Sequence, residues 1–215
     1  PTGPVPRSAR HCLLTPLAVL LAVLGVAYPA SGQESGQAVR GAIDSTASAI
    51  QYTGTAPLHD WTGTSRRVEG QFLLAPSQPG RSRARVRVPV ASFDSGNKRR
   101  DRGMREVTGA EQHPFVTFRG TEFAPVVWGR GASGYRGTWA VSGTLTFHGQ
   151  THPVADTVRV EVAGDSIRLR AQFPLSLTRF GVERPGFLGF TVGDTIRIDA
   201  QLRGTLQADS LSTRR

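Results

Sequence analysis

Apolar residues recur at every second position over much of the chain. In residues 67–74, Val68, Gly70, Phe72 and Leu74 alternate with Arg67, Glu69 and Gln71; in residues 83–90, Val86, Val88 and Val90 alternate with Arg83, Arg85 and Arg87. The period returns in Val158, Val160 and Val162 against Arg159 and Glu161, and in Ile167, Leu169, Ala171 and Phe173 against Arg168, Arg170 and Gln172. Ile196, Ile198, Ala200 and Leu202 against Arg197, Asp199, Gln201 and Arg203 close the series. Successive side chains leave a strand on opposite faces, so this spacing predicts strands with one dry and one wet face. That pattern belongs to antiparallel sheet, because parallel strands are buried on both faces and read as continuous apolar runs. Turn signals separate the segments at Pro76 to Gly80, Gly129 to Gly134, His148 to His152, Ala163 to Asp165 and Gly193-Asp194. Many even strands without long helices predict an all-β barrel or sandwich.

One segment departs from the period of two. Gly96 to Gln112 is polar, with Met104 and Val107 three apart, and predicts a short helix near residues 98–110 across a barrel mouth. Its cluster Lys98 to Arg102 reads as a solvated surface.

The N-terminus has a different character. Arg7 and Arg10 lead into an apolar run from Leu13 to Val26, and Ala30 and Gly32 supply small residues before a cut. This is the anatomy of a cleavable secretory signal, expected over residues 1–32. A transmembrane anchor fits less well, since the run is short and contains Pro16. A flexible stretch over residues 33–40, one domain over 41–207 and a disordered tail over 208–215 complete the expected organisation, in a protein that is periplasmic or secreted. Cys12 is the only cysteine and falls within the signal, so after the cut thiolate metal sites, disulfides and cysteine nucleophiles are excluded.

Composition adds charge to this picture. The formal net charge is +10, and Lys98 is the sole lysine. Such a balance suits nucleic acid, anionic lipid or cell-wall polymer. The arginines, however, alternate singly with apolar residues along strands and make no phosphate-tracking stripe, and few aromatics interleave with them for base stacking. Nucleic acid is therefore not an expected partner. No Walker loop, dinucleotide fingerprint or Gly-x-Ser-x-Gly elbow is present.

Short blocks in a fixed order carry a resemblance. They are Ile43-Asp44 with Ser48 and Tyr52; Val68-Glu-Gly70 with Phe72; Ser92-Phe-Asp94-Ser-Gly-Asn97 followed by Arg100-Asp101 and Met104; and His113-Pro-Phe-Val-Thr-Phe118. Gly143 to Gly149 with Pro153-Val154, Thr178-Arg-Phe-Gly181 and Val192-Gly-Asp194 complete the set. From Ile43 to Leu206 the chain resembles YceI-like domains. Two departures stand out: the segment after Arg105 lacks the usual aromatic pair, and His59-Asp-Trp61-Thr-Gly63 belongs to only a subset of such sequences. The resemblance implies a lipocalin-like antiparallel β-barrel of about eight strands, exported, that holds a polyisoprenoid or other long-chain isoprenoid or acyl lipid. It implies no enzyme activity and no cofactor, and a homodimer is compatible with it.

The candidate cavity residues are the inward aromatic and aliphatic positions Phe72, Val88, Phe118, Trp139, Phe147, Leu169, Phe173, Phe180 and Ile198. Small inward residues, Gly70, Gly137, Gly143 and Ala171, alternate with large ones and would leave a channel between aromatic walls. A packed core with bulges at the glycines, in a periplasmic interaction or stress-response module without a lipid, is the competing reading. Arg179 is the candidate for a phosphate or carboxylate headgroup, against a plain exposed strand-end arginine. His148 and His152 are four apart, but across a Gly-Gln turn that spacing does not converge as it would on a helix; with His59 they read as solvated, and no metal site is expected. Asp60 reads as the start of a turn and Trp61 as packing at a barrel end.

Overall fold

The computed structural model describes residues 38–56, 59–75, 81–184, 186–187 and 190–208. The expected signal over 1–32, most of the stretch 33–40 and the tail beyond Ala208 lie outside the described residues. So does the turn Pro76 to Gly80.

Twelve strands are described: β1 Val39–Ile43, β2 Ala49–Ala56, β3 His59–Ser65, β4 Glu69–Leu74, β5 Arg83–Pro89, β6 Phe115–Gly131, β7 Gly134–Phe147, β8 Gln150–Ala163, β9 Ser166–Ser176, β10 Gly186–Phe187, β11 Phe190–Thr191 and β12 Thr195–Ala208. One α-helix, α1, spans Lys98–Val107, within the region where a helix is expected. Strand pairing runs β1-β4-β5-β6-β7-β8-β9-β12 and returns to β1 through the pairs Val39↔Ala208 to Ile43↔Gly204, all antiparallel. Eight strands thus close a barrel, the arrangement that removes free sheet edges. β1 begins inside the stretch expected to be flexible, because Val39 and Arg40 have partners on both β4 and β12.

The first and last strands fit together through a break. Asp44 accepts a hydrogen bond from the Thr46 amide at 2.9 Å and caps a turn of 3-10 helix, and beyond it β2 pairs with the first half of β12 and with β3. Ser48 holds the break to β12, its hydroxyl accepting from the Arg203 amide at 3.0 Å. The β2–β3 hairpin is tied back to the barrel by Thr64 and Asp94, which exchange two backbone hydrogen bonds.

The family block Ser92 to Asp101 turns out to be a knot. Ser92 Oγ donates to the Pro89 carbonyl at 2.6 Å and pairs with Ser65 Oγ. The Asn97 side chain accepts from the Arg99 and Arg100 amides, capping α1 where its first amides lack partners. Asp101 is buried and accepts from the Ser95 amide and hydroxyl, while Arg100 donates to Ser95 Oγ and to its carbonyl. These residues fasten β3, β5 and α1 together, and Arg100 also lies over the Trp61 ring.

Three buried clusters fill the inner face. One gathers Leu145, Phe147, Leu175, Leu177, Phe180 and Val182, with Val107 of α1 packed on it; a second gathers Phe72, Phe123, Trp139, Val160 and Ile167; a third joins Val68, Val88 and Leu202. The first lies at the end of the barrel that α1 approaches, the second at the end of the β6–β7 hairpin.

Candidate ligand cavity

Cross-strand partners share a face, so the registers trace the inner wall. Val86 lies opposite Phe118, Phe118 opposite Leu145, Trp139 opposite Val158, Val160 opposite Leu169, Leu169 opposite Leu202 and Phe173 opposite Ile198. The expected cavity residues on strands therefore occupy one surface, and Phe180 joins them from the 3-10 turn Thr178–Phe180. They divide into two kinds. Phe72, Val88, Trp139, Phe147 and Phe180 are buried, Trp139 and Phe180 to within 3% and 2%. Phe118, Leu169, Phe173 and Ile198 are half-buried and rim the clusters rather than fill them.

The inward glycines do not make the channel expected of them. β6 shifts register between Gly120 and Glu122 and again between Pro125 and Val127. Gly143 and Gly137 face these bulges, and a Cβ there would fall 2.1 Å from the Arg119 carbonyl oxygen and 1.9 Å from that of Val127. They are glycines because the bulged backbone leaves no room for a side chain. The space beside Gly70 is taken by Ile43, whose Cγ1 lies 2.8 Å from the Cβ position.

The histidines also depart from expectation. His148 and Gly149 alone form the turn between β7 and β8, both with positive φ, so His152 sits inside β8 and not in a solvated turn. Its ring meets Phe180 edge-on at 4.9 Å, and His148 Nδ1 is 3.0 Å from the Phe180 carbonyl. Both rings thus serve to seat the turn that carries Phe180. His59 begins β3, and Asp60 is an exposed strand residue opposite Thr55, not a turn start; Trp61 packs over Gly54 on the same hairpin. Among the described residues no three His, Cys, Asp or Glu side chains converge.

Arg179 is exposed on that turn, its Nη2 donating to the Pro153 carbonyl at 3.1 Å. The turn is pinned from below by Asp194, which accepts from Ser176 Oγ at 2.7 Å and from the Thr178 amide at 2.8 Å. The Ser176 hydroxyl, and then the Thr178 amide, hold the Asp194 carboxyl below its ordinary value. On the inner wall burial pushes the Tyr52 phenol up.

Two polar features of the inner wall were not anticipated. Asp156 takes an inward position in β8 opposite Val141, half-buried between Val154 and Val158, with its carboxylate accepting from the Thr157 amide at 2.6 Å. The alternation Val154, Asp156, Val158, Val160, Val162 already sets an acid in an apolar row. Trp139 Nε1 and His152 Nε2 are buried with no hydrogen-bond partner among the described residues, which only the folded packing reveals.

Comparison with known proteins identifies the architecture. The structure aligns with Burkholderia cenocepacia BcnA, at a TM-score of 0.64 and 22% identity over 75% of this chain and 98% of that one. A polyisoprenoid binding domain from Saccharophagus degradans aligns with a TM-score of 0.63 and 16% identity, covering 78% of this chain and 98% of that one. In sequence, a UPF0312 protein of Vibrio cholerae is 28% identical over 174 residues, 80% of each chain. The family model for the YceI-like domain matches residues 42–203, and the chain belongs to that family.

Proposed function

We propose that the protein is an exported carrier that holds a polyisoprenoid or comparable long-chain amphiphile inside the barrel, and binds without turnover. The half-burial of Phe118, Leu169, Phe173 and Ile198 carries this reading: on the inner wall of a closed ring of strands, accessible surface is space within the barrel or at its mouths. The hydrocarbon would lie against these four residues, and Arg179 would meet the headgroup. The similarity in fold to a polyisoprenoid binding domain agrees with this assignment. Export rests on the pattern of residues 1–32.

Magnitudes select the ligand class. Each buried CH₂ contributes about 0.8 kcal/mol, whereas association costs about 4–15 kcal/mol before a surplus appears. Short acyl groups would bind poorly, and a chain of about twenty carbons would bind firmly without a salt bridge.

The buried clusters favour a second reading, a surface-interaction module whose core is complete without lipid. Native mass spectrometry of gently purified protein separates the two. A co-purifying hydrocarbon, or uptake of an added prenyl alcohol, is expected; a consistently empty protein that takes up neither prenyl nor acyl ligand supports the module. Arg179→Ala should weaken a prenyl phosphate more than the matching alcohol, and equal weakening would reject the headgroup role.

A further inference from the structure

β8 and β9 are paired only from Val158↔Ala171 to Ala163↔Ser166. Beyond that point residues 150–157 of β8 stay paired to β7, and residues 172–176 of β9 stay paired to β12, but no ladder joins the two. The barrel wall is therefore unzipped along one seam. Prolines account for its outer part. Continuing the register would set Ala155 opposite Pro174 and Pro153 opposite Ser176. Pro153 lies in the β7–β8 ladder and Pro174 in the β9–β12 ladder, and a proline stays in a ladder only where its nitrogen faces away from that partner. Both nitrogens thus face the seam, where each removes a donor that zipping would need. The Pro153 carbonyl faces the seam as well, since it accepts from Arg179 and not from β9.

The turn carrying Phe180 stops only the outer part of this seam, wedging its ring against Phe147 and His152. Inward of the plug the seam is bordered by half-buried side chains, Val154 and Asp156 on β8 and Phe173 on β9. We infer that this seam is a lateral door, through which the hydrocarbon chain passes between solvent or a membrane surface and the barrel interior, with Asp156 and Arg179 flanking the passage. The inference rests on the carrier reading above and adds the route to it. A passage here runs along the flank of the first cluster, on which Val154 and Phe173 pack as partly buried side chains, and leaves the second cluster, at the other end of the barrel, undisturbed.

Clamping the seam tests the door. Thr157 and Gln172 are exposed and outward-facing on its two lips, and Thr157→Cys with Gln172→Cys, in protein whose Cys12 is replaced by Ser, can be bridged by a short bifunctional methanethiosulfonate. The readout is the rate of uptake and release of fluorescently labelled geranylgeraniol. Bridging should slow both by at least about tenfold, as closing an obligatory gate does, and dithiothreitol should restore them. The same bridge between Arg159→Cys and Arg170→Cys, partners in the intact ladder, should leave the rates unchanged. A bulky maleimide on Thr157→Cys alone should slow exchange in the same direction. Equal rates with the seam bridged and open would overturn the door and move entry to a barrel end. Failure of the unclamped protein to take up the probe at all would remove the carrier reading, and the door with it.

Discussion

β8 is held differently on its two sides. Toward β7 it forms an unbroken ladder from Tyr135↔Val162 to Phe147↔Gln150, and toward β9 it is paired for less than half its length. The two seams share a strand and an inner surface, so hydrophobic pattern cannot explain the difference. The distribution of backbone donors explains its outer part: the β7 side meets no proline nitrogen, and from Ala155 outward the β9 side meets two. An alternating strand secures its face, while its closure to a neighbour depends on each amide being available.

The largest effect that would sharpen this contrast comes from the plug. Phe180→Ala empties a buried site and should cost about 3–5 kcal/mol in denaturant unfolding. Phe173→Ala, on the half-buried rim beside the open seam, should cost distinctly less while weakening prenyl alcohol binding. Equal destabilisation by the two would mean that rim and plug are one packed core.

An intermediate effect is expected from the prolines. Pro153→Val with Pro174→Val restores both missing donors, and hydrogen exchange should then slow at the new amides of residues 153 and 174 as the ladder extends. Geranylgeraniol exchange should slow in parallel. Fast exchange at both new amides would show that something other than the prolines keeps the strands apart.

The smallest effect concerns acid. Asp194 pins the plug turn as a carboxylate, and its folded-state pKa lies below the unfolded value. Its contribution is therefore present in full above the unfolded pKa, about 3.9, and is lost as the pH falls through the folded value. Asp194→Ala should be less stable than the native chain at neutral pH, and the difference should shrink below about pH 4. A stability gap that persists at pH 2 would place the effect of the substitution outside the carboxylate.

Much of the candidate site could be read directly from the chain. The inward row of each central strand followed from the period of two, because burial of one face rewards it at every second residue. The anatomy of α1 was likewise local, since Asn97 caps it with its own side chain. Gly137 and Gly143 show where such reading ends. A glycine in an apolar row looks like vacant space, but whether the space is vacant depends on a carbonyl delivered by another strand at a bulge. His152 fails for a related reason: with only His148 and Gly149 in the turn, the second histidine becomes a strand residue facing inward.

By itself the sequence determined the fold class, the family and the side of the sheet on which each apolar residue falls, because these follow from short-range alternation and from blocks of neighbouring residues. Tertiary structure alone decided which inward side chains are sealed and which stay accessible, and where the barrel wall is left unzipped. Those properties depend on the register between strands far apart in the chain, where a single bulge or a proline nitrogen turned toward an absent partner changes the outcome without altering the pattern.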